Sequence, residues 1–396
     1  MKKILYLTFY FEPDLCAGSF RNSPLVKELA SKAKGKASID VFTTLPNRYS
    51  SFNAEASEFE QRDNYTITRV AIPQHQSGMK DQIFSFKKYY STVKKLTKGK
   101  KYDLVVASSS RLFTAYLGHT IAKKLNVPLY LDIRDIFYDT LEDVLEDGLI
   151  KKTALPLIKL LEKRTFSSAS HINLISEGFK PYFSNYKKAD FSFFPNGVDK
   201  IFLEANEDIS IDDLGLSDLS DQVRTVVYAG NIGEGQGLHK VIPLAAKGLE
   251  GKIKFIIIGD GGAKGKLENE LKRLKIFNVE LRSPVKRNEL IEVYKNADFL
   301  FVHLNNFKAF EKVLPSKIFE LATFPKPLIA GLAGFAGNFV KNNIENSILF
   351  APCDVESLIK QLNSYTYKQV RRTAIMEKFK RETVNREMVE SILKYI

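Results

Sequence analysis

Residues 226–242 read VVYAGNIGEGQGLHKVI. The run Val226–Ala229 is apolar on consecutive positions, so both faces of a strand there would need cover, as in a parallel sheet. Gly230, Gly233, Gly235 and Gly237 follow, and then Leu238, Val241 and Ile242 recur at helical spacing. The stretch is therefore one strand, a glycine-rich turn and one helix. Working outward, the same unit repeats. In the second half the strand runs are RTVVYAG (224–230), IKFIIIG (253–259), VELRSP (279–284), DFLFVHL (298–304) and PLIAG (327–331). In the first half they are KILYLTFYF (3–11), ASIDVFTT (37–44), YTITRVAI (65–72), YDLVVASS (102–109), PLYLDIRD (128–135) and SHINLIS (170–176). Helical patterns lie between them, such as SPLVKELASKAK and GHTIAKKL. This alternation predicts an α/β chain of two doubly wound parallel-sheet domains with a cleft between them.

The break falls at FFPNGVDKIF (193–202), where Pro195, Asn196 and Gly197 form a turn. The expected domains are 1–197 and 198–379, with a tail helix at about 380–396 packing back on the first. An acidic irregular stretch, 204–221, follows the break. Length agrees, since 396 residues allow two domains of nearly equal size. Ile4–Phe11 could be taken for a secretory leader, but Glu12, Pro13 and Asp14 interrupt it, and we read it as a buried strand. No run is long and apolar enough for a membrane span. Two cysteines, Cys16 and Cys353, give neither a disulfide framework nor a zinc spacing, which favours a reducing, cytoplasmic setting.

The formal charge is +13, and the larger share of the excess lies in the first half. The expected partner is anionic: nucleic acid, phospholipid or a phosphorylated small molecule. No helix-turn-helix, zinc spacing or aromatic-basic RNA motif is present, so nucleic acid is not expected. Ala17-Gly18-Ser19 opens a helix after the first strand, with Arg21 in its first turn, a place where backbone N–H groups can meet a phosphate or hydroxyl. The turn Gly230–Gly237 has the same logic but lacks a dinucleotide fingerprint or a phosphate-loop lysine. In VLPSKIFELATFPKPLIAG, Pro315 is expected at the first helical position, with Ser316 and Lys317 in the first turn. Lys317 and Glu320 then share a helical face, either as an ordinary surface pair or as a cation for a diphosphate beside a carboxylate for vicinal hydroxyls. Among the histidines, His239 and His303 are expected to be packed, with a place lining the cleft as the alternative for His303.

Taken in order, FYFEPDLCAGSFR, LDIRDIF, LEKRTFSSASHINLISEGF, FPNGVD, YAGNIGEGQGL, IIIGDG and VLPSKIFELATFPKPLIA resemble the retaining glycosyltransferases of family 4 (group 1), of the GT-B fold. The DIRD and PSKIFE forms look most like a bacterial subgroup that builds O-antigen, capsule or exopolysaccharide units. The resemblance implies a nucleotide-sugar donor, a UDP-sugar, on the second domain. It implies a polyprenyl-diphosphate-linked glycan acceptor on the first, and no metal or other cofactor. Donor-binding residues would be Gly230, Asn231, Gly233, Gln236, Gly237, Glu311, Ser316, Lys317 and Glu320. Glu320 matches the second glutamate of the family's E-x(7)-E motif. The first falls on Lys312, with Glu311 one residue away. Asn231 and Gln236 stand where the family has an arginine and a lysine, and Lys317 is expected to supply the missing charge. Arg134, Asp135 and Lys317 are expected at the reaction, Asp135 as an acceptor-side base or orienting group, with Gly18, Ser19 and Arg21 on the acceptor side. A sugar-nucleotide epimerase on the same fold is the alternative.

Residues 80–101, KDQIFSFKKYYSTVKKLTKGKK, hold eight lysines and one aspartate. Ile83, Phe86, Tyr90 and Val93 recur at helical spacing, so Lys80–Lys101 reads as a basic amphipathic helix that could lie on the anionic inner face of a cell membrane. A core-packed helix with a solvated basic face is the plainer reading.

Overall fold

Strands that are apolar on both faces need helices on both faces, and the chain supplies them twice. The computed structural model describes residues 1–14, 16–47, 55–73, 79–109, 112–145, 148–206 and 222–396. It resolves into two units, Met1–Asn196 with Glu382–Ile396, and Gly197–Arg381. Most of the acidic stretch, 207–221, lies outside the described residues.

The first unit runs β1 (Lys2–Thr8), α1 (Ala17–Ala33), β2 (Ala37–Thr44), β3 (Phe59–Gln61), β4 (Tyr65–Val70), α2 (Met79–Leu96), β5 (Leu104–Ser109), α3 (Leu112–Leu125), β6 (Leu129–Ile133), α4 (Phe137–Val144), α5 (Leu149–Phe166), β7 (His171–Leu174), α6 (Lys180–Phe183) and β8 (Asp190–Ser192). Its strand order is β3-β4-β2-β1-β5-β6-β7-β8. Order reverses between β1 and β5, which pair in parallel from Ile4↔Leu104 to Thr8↔Ser108. Right-handed crossovers put α1 on one face and α2, α3 and α5 on the other.

The second unit contains α7 (Lys200–Glu204), β9 (Arg224–Asn231), α8 (Leu238–Gly248), β10 (Ile253–Asp260), α9 (Lys264–Arg273), β11 (Val279–Arg282), α10 (Arg287–Lys295), β12 (Phe299–His303), α11 (Lys317–Leu321), β13 (Leu328–Gly331), α12 (Gly334–Asn343), β14 (Ser347–Phe350), α13 (Val355–Asn363) and α14 (Thr373–Lys378). Its order is β11-β10-β9-β12-β13-β14, all parallel, and the switch lies between β9 and β12. One core, with Val241, Phe255 and Leu267, fills one face of this sheet; another, with Val227, Leu300 and Ile318, fills the other. The last helix, α15 (Arg381–Leu393), returns to the first unit, where Met388, Val389 and Ile392 join Ile4, Leu25 and Val106 in one core.

Three local expectations need correction. The first strand ends at Thr8, not Phe11. The Thr8 hydroxyl donates to Tyr10 O, and Asp14 N–H to Phe11 O, so the chain turns out of the sheet while Phe9–Phe11 stay buried. The first sheet is not wholly parallel, because β3 pairs antiparallel with β4. Pro315 is not at the first helical position. The helix starts at Lys317, its cap is Ser316, and Pro315 O accepts from Ile318 N–H ahead of it.

Candidate functional site

Ligands in open α/β sheets bind beyond the carboxyl ends of strands, where strand order reverses. In the second unit that place is built by the turn after β9 and the segment after β12. Successive carbonyls of the turn are held by the end of β12. Asn305 Nδ2 donates to Glu234 O at 2.8 Å, Asn305 N–H to Gly235 O at 2.8 Å, and His303 Nδ1 to Gln236 O at 2.6 Å. A carbonyl only accepts, so Nδ1 carries the proton, and Nε2 is left to accept from Cys353 N–H at 3.0 Å. The ring is therefore neutral, and burial pushes its pKa down to about 4. Gly237 has φ +59°, and a Cβ there would meet Asn305 Cγ at 3.0 Å, so both its conformation and its neighbour require glycine. With the carbonyls turned to β12, the N–H groups of Glu234 and Gly235 have no hydrogen-bond acceptor among the described residues. Adjacent free N–H groups form an anion-binding concavity.

Lys317 stands beside this turn. Its Cε would lie 3.5 Å from a Cβ on Gly230, and its Nζ is 3.2 Å from Glu320 Oε2. The lysine side chain keeps 31% of its exposure. Burial disfavours its charge, but Glu320, with Tyr294, outweighs burial and raises its pKa, so it is a fixed cation. Asn231 Nδ2 donates to Gln236 Oε1 at 2.7 Å, and Gly233 N–H to the same oxygen at 3.3 Å. Asn231 and Gln236 thus brace the turn itself. Phe310 would touch a Cβ on Gly235 at 3.0 Å, which brings the 3-10 segment Lys308–Lys312 over the turn. Glu311 is exposed there, and Gly334, with φ +57°, packs under its backbone. Ser316 caps α11 without a side-chain bond. Helix α11 has only five residues, so its dipole adds little and Lys317 and the turn carry the electrostatics.

The first unit is different at its own switch point. Arg21 is buried and forks onto Asp132, with Nε and Nη2 at 2.9 and 2.8 Å, and also donates to Phe194 O and Pro195 O. Ser108 and Asn173 donate to the same carboxylate. Burial would raise the Asp132 carboxyl, but Arg21 outweighs it and holds it below the usual carboxylate range. The sequence placed Arg21 on the acceptor side; here its hydrogen bonds are used internally. Ser19 is buried too. Gly18 faces Arg134, whose Nη1 would be 3.0 Å from a Cβ on it. Burial lowers the pKa of Arg134 and Asp132 opposes that shift. Asp135 follows at the head of α4, half-buried, and accepts from Thr140 Oγ1 at 3.4 Å. Burial raises its pKa to about 6, against the Ile136 N–H and Thr140. Gly18 and Arg134 are thus brought together and Asp135 is adjacent in sequence, whereas Arg21 points inward.

The sequence reading missed Asn305 and Asp132, and read His303 as packed in preference to lining the cleft. His303 is packed, yet it also holds the turn. His239 lines a groove between α8 and α9, 3.7 Å from Glu234.

Residues 217–382 match the family described as Glycosyl transferases group 1. The matched stretch lies almost wholly within the second unit. Over 225 residues the chain is 27% identical to the putative colanic acid biosynthesis glycosyl transferase WcaI of Escherichia coli K12, a match spanning 55% of this chain and 54% of that protein. Among solved structures, sucrose-phosphate synthase from Thermosynechococcus elongatus is similar over 100% of this chain and 99% of its own, with TM-score 0.74 and 13% identity. Anabaena HepE in complex with UDP-glucose aligns over all of both chains, with TM-score 0.66 and 15% identity. Trehalose-6-phosphate synthase OtsA does so with TM-score 0.69 and 11% identity. The fold is GT-B.

Proposed function

We propose that this chain is a retaining glycosyltransferase that moves a sugar from a nucleotide-sugar, a UDP-sugar, to a polyprenyl-diphosphate-linked glycan in bacterial surface polysaccharide synthesis. One observation carries it: a fixed cation, Lys317, beside a turn whose Glu234 and Gly235 N–H groups have no acceptor among the described residues, within the segment that matches the glycosyl transferase family. The turn and Lys317 hold the donor diphosphate, and Glu320 takes the ribose hydroxyls. The acceptor oxygen attacks the anomeric carbon as its bond to the diphosphate breaks, and the leaving diphosphate takes the acceptor's proton. Lys317 stabilises the charge that develops, so the reaction is expected to proceed without a metal. Asp135, with a pKa near 6, is mostly ionised at neutral pH and orients the acceptor hydroxyl.

The family and the relatives are named as transferases, so the isomerase reading is not favoured. An inner-membrane location follows from the acceptor: no helix of the described residues is long and apolar enough to cross a membrane, so contact would be peripheral. The test is release of nucleoside diphosphate from a panel of UDP- and GDP-sugars with a lipid-linked acceptor. Lys317→Ala should raise the donor KM about 10–100-fold, the loss of one charge-assisted contact. An unchanged KM sinks the assignment of Lys317; no release from any donor sinks the function; a free epimer formed without acceptor revives the isomerase.

A further inference from the structure

The apolar stripe expected to meet a membrane is not available in α2. Phe86 and Val93 are buried, and Phe86 packs on Tyr89, Tyr90 and Phe113. Lys80 and Ile83 lie outside the described side chains. Among the described side chains of α2, the lysines Lys87, Lys88, Lys94 and Lys95 remain on the surface with Ser91, Phe84 at 62% exposure and Leu96 at 41%, and the two apolar ones are twelve residues apart and form no stripe. An outward apolar stripe is found instead on α5. Leu157 keeps 57% and Leu160 44% of their exposure, one turn apart beside the exposed Pro156. Exposed Lys152, Lys163 and Arg164 flank them. The helix turns the opposite side inward, where Ile158, Glu162, Thr165 and Phe166 are buried.

The charge pattern says what covers this stripe. The one acid of α5, Glu162, is buried against Tyr182 and the Tyr138 N–H, and α3 has no acidic residue. Helices α2, α3 and α5 pack side by side on one face of the first sheet. Their exposed side chains among the described residues are therefore basic, apolar or neutral, and two of the acids of α4, Asp139 and Glu142, border the strip. Exposed cations with no exposed acid among the described side chains of three adjacent helices are drawn to an anionic bilayer. Leucines ringed by lysine and arginine on one helix face are the pattern of an interfacial helix, with apolar side chains below the headgroups and cations among them.

We infer that α5 seats the first unit on an anionic lipid surface, Leu157 and Leu160 entering the acyl boundary while the lysines of α2 and α3 only attract. This rests on the proposed lipid-linked acceptor, and its test separates the two. The chain has no tryptophan. Leu157→Trp therefore gives a single emission reporter on a side chain that is already exposed, and Phe277→Trp, at 86% exposure in the second unit, gives a control. With vesicles of phosphatidylglycerol and phosphatidylcholine, emission of the Leu157→Trp form should shift to shorter wavelength and be quenched by brominated acyl chains, while emission of the Phe277→Trp form stays unchanged. In the otherwise unaltered chain, Leu157→Ser with Leu160→Ser should weaken vesicle binding about tenfold or more while leaving donor hydrolysis unchanged. Neutral phosphatidylcholine vesicles should bind poorly to every form. If the chain pellets with anionic vesicles but the Leu157→Trp reporter is silent, or the Phe277→Trp control responds equally, α5 is not the seat. If no form binds anionic vesicles, α5 and membrane docking fall together, while the donor panel still judges the transferase reading by itself.

Discussion

Both units place an acid and a base near the strand-order reversal, and they use the pair in opposite ways. In the first, Arg21 and Asp132 sit in a dry interior and satisfy each other, with Ser108, Asn173 and two carbonyls completing the set. In the second, Lys317 and Glu320 meet at 3.2 Å but keep part of their surface, beside N–H groups that lack acceptors among the described residues. The first pair is spent on holding the segment 194–195 to the strand ends. The second leaves charge directed at whatever enters. The same fold logic thus supplies a locked polar core in one unit and a partly exposed ion pair beside the glycine-rich turn in the other.

The contrast is sharpest in stability. Arg21→Met or Asp132→Asn should each cost about 3–5 kcal/mol in urea unfolding, because the remaining partner is left buried and unpaired. A cost below about 1 kcal/mol would mean that the first pair is as dispensable as a surface one. Lys317→Met should cost less than about 1 kcal/mol, since its pair is partly solvated, although donor affinity falls. A large loss there would show the second pair to be structural as well.

Asp135 breaks the symmetry by pH. Its folded pKa is raised to about 6 from 3.8, so the folded chain holds this proton more tightly than the unfolded one. The contribution is complete below about pH 4 and is lost as pH rises through about 6. Asp135→Asn should therefore match the parent near pH 4 and exceed it by about 1–2 kcal/mol at about pH 7–8 in thermal or denaturant unfolding, the full shift being discounted for partial exposure. Equal stability at both pH values would place Asp135 in a wetter setting than its burial indicates.

The smallest effect separates the two bonds of His303. Asparagine can still donate to Gln236 O, and glutamine can still accept from Cys353 N–H. If the turn must be held for the donor, His303→Gln should raise the donor KM about fivefold, the worth of one neutral hydrogen bond, with His303→Asn near the parent. Equal losses in both would reduce His303 to packing.

Legibility in the sequence followed the range of each interaction. Strands such as Ile253–Asp260 and helices such as α8 declare themselves by local apolar period. Lys317 and Glu320 could be paired because they lie three residues apart. Short strands such as β3, β8 and β14 carry too few residues to show a period. The Arg21–Asp132 contact spans 111 residues, and the His303–Gln236 contact 67, so no local pattern announces them. The lysines of residues 80–101 were legible as a charged face, but which apolar residues face inward depends on α3, and which leucines of α5 face outward depends on the helices packed beside it.

The return of α15 to the first unit fixes an order of events at the ribosome. The core around Ile4, Leu25 and Val106 needs Met388, Val389 and Ile392, which are made after the whole of the second unit. The unit translated first must therefore wait, its apolar wall open, while the one translated later can close on its own residues. Synthesis runs in one direction here and completion in the other, and the waiting wall is where a chaperone would be needed most.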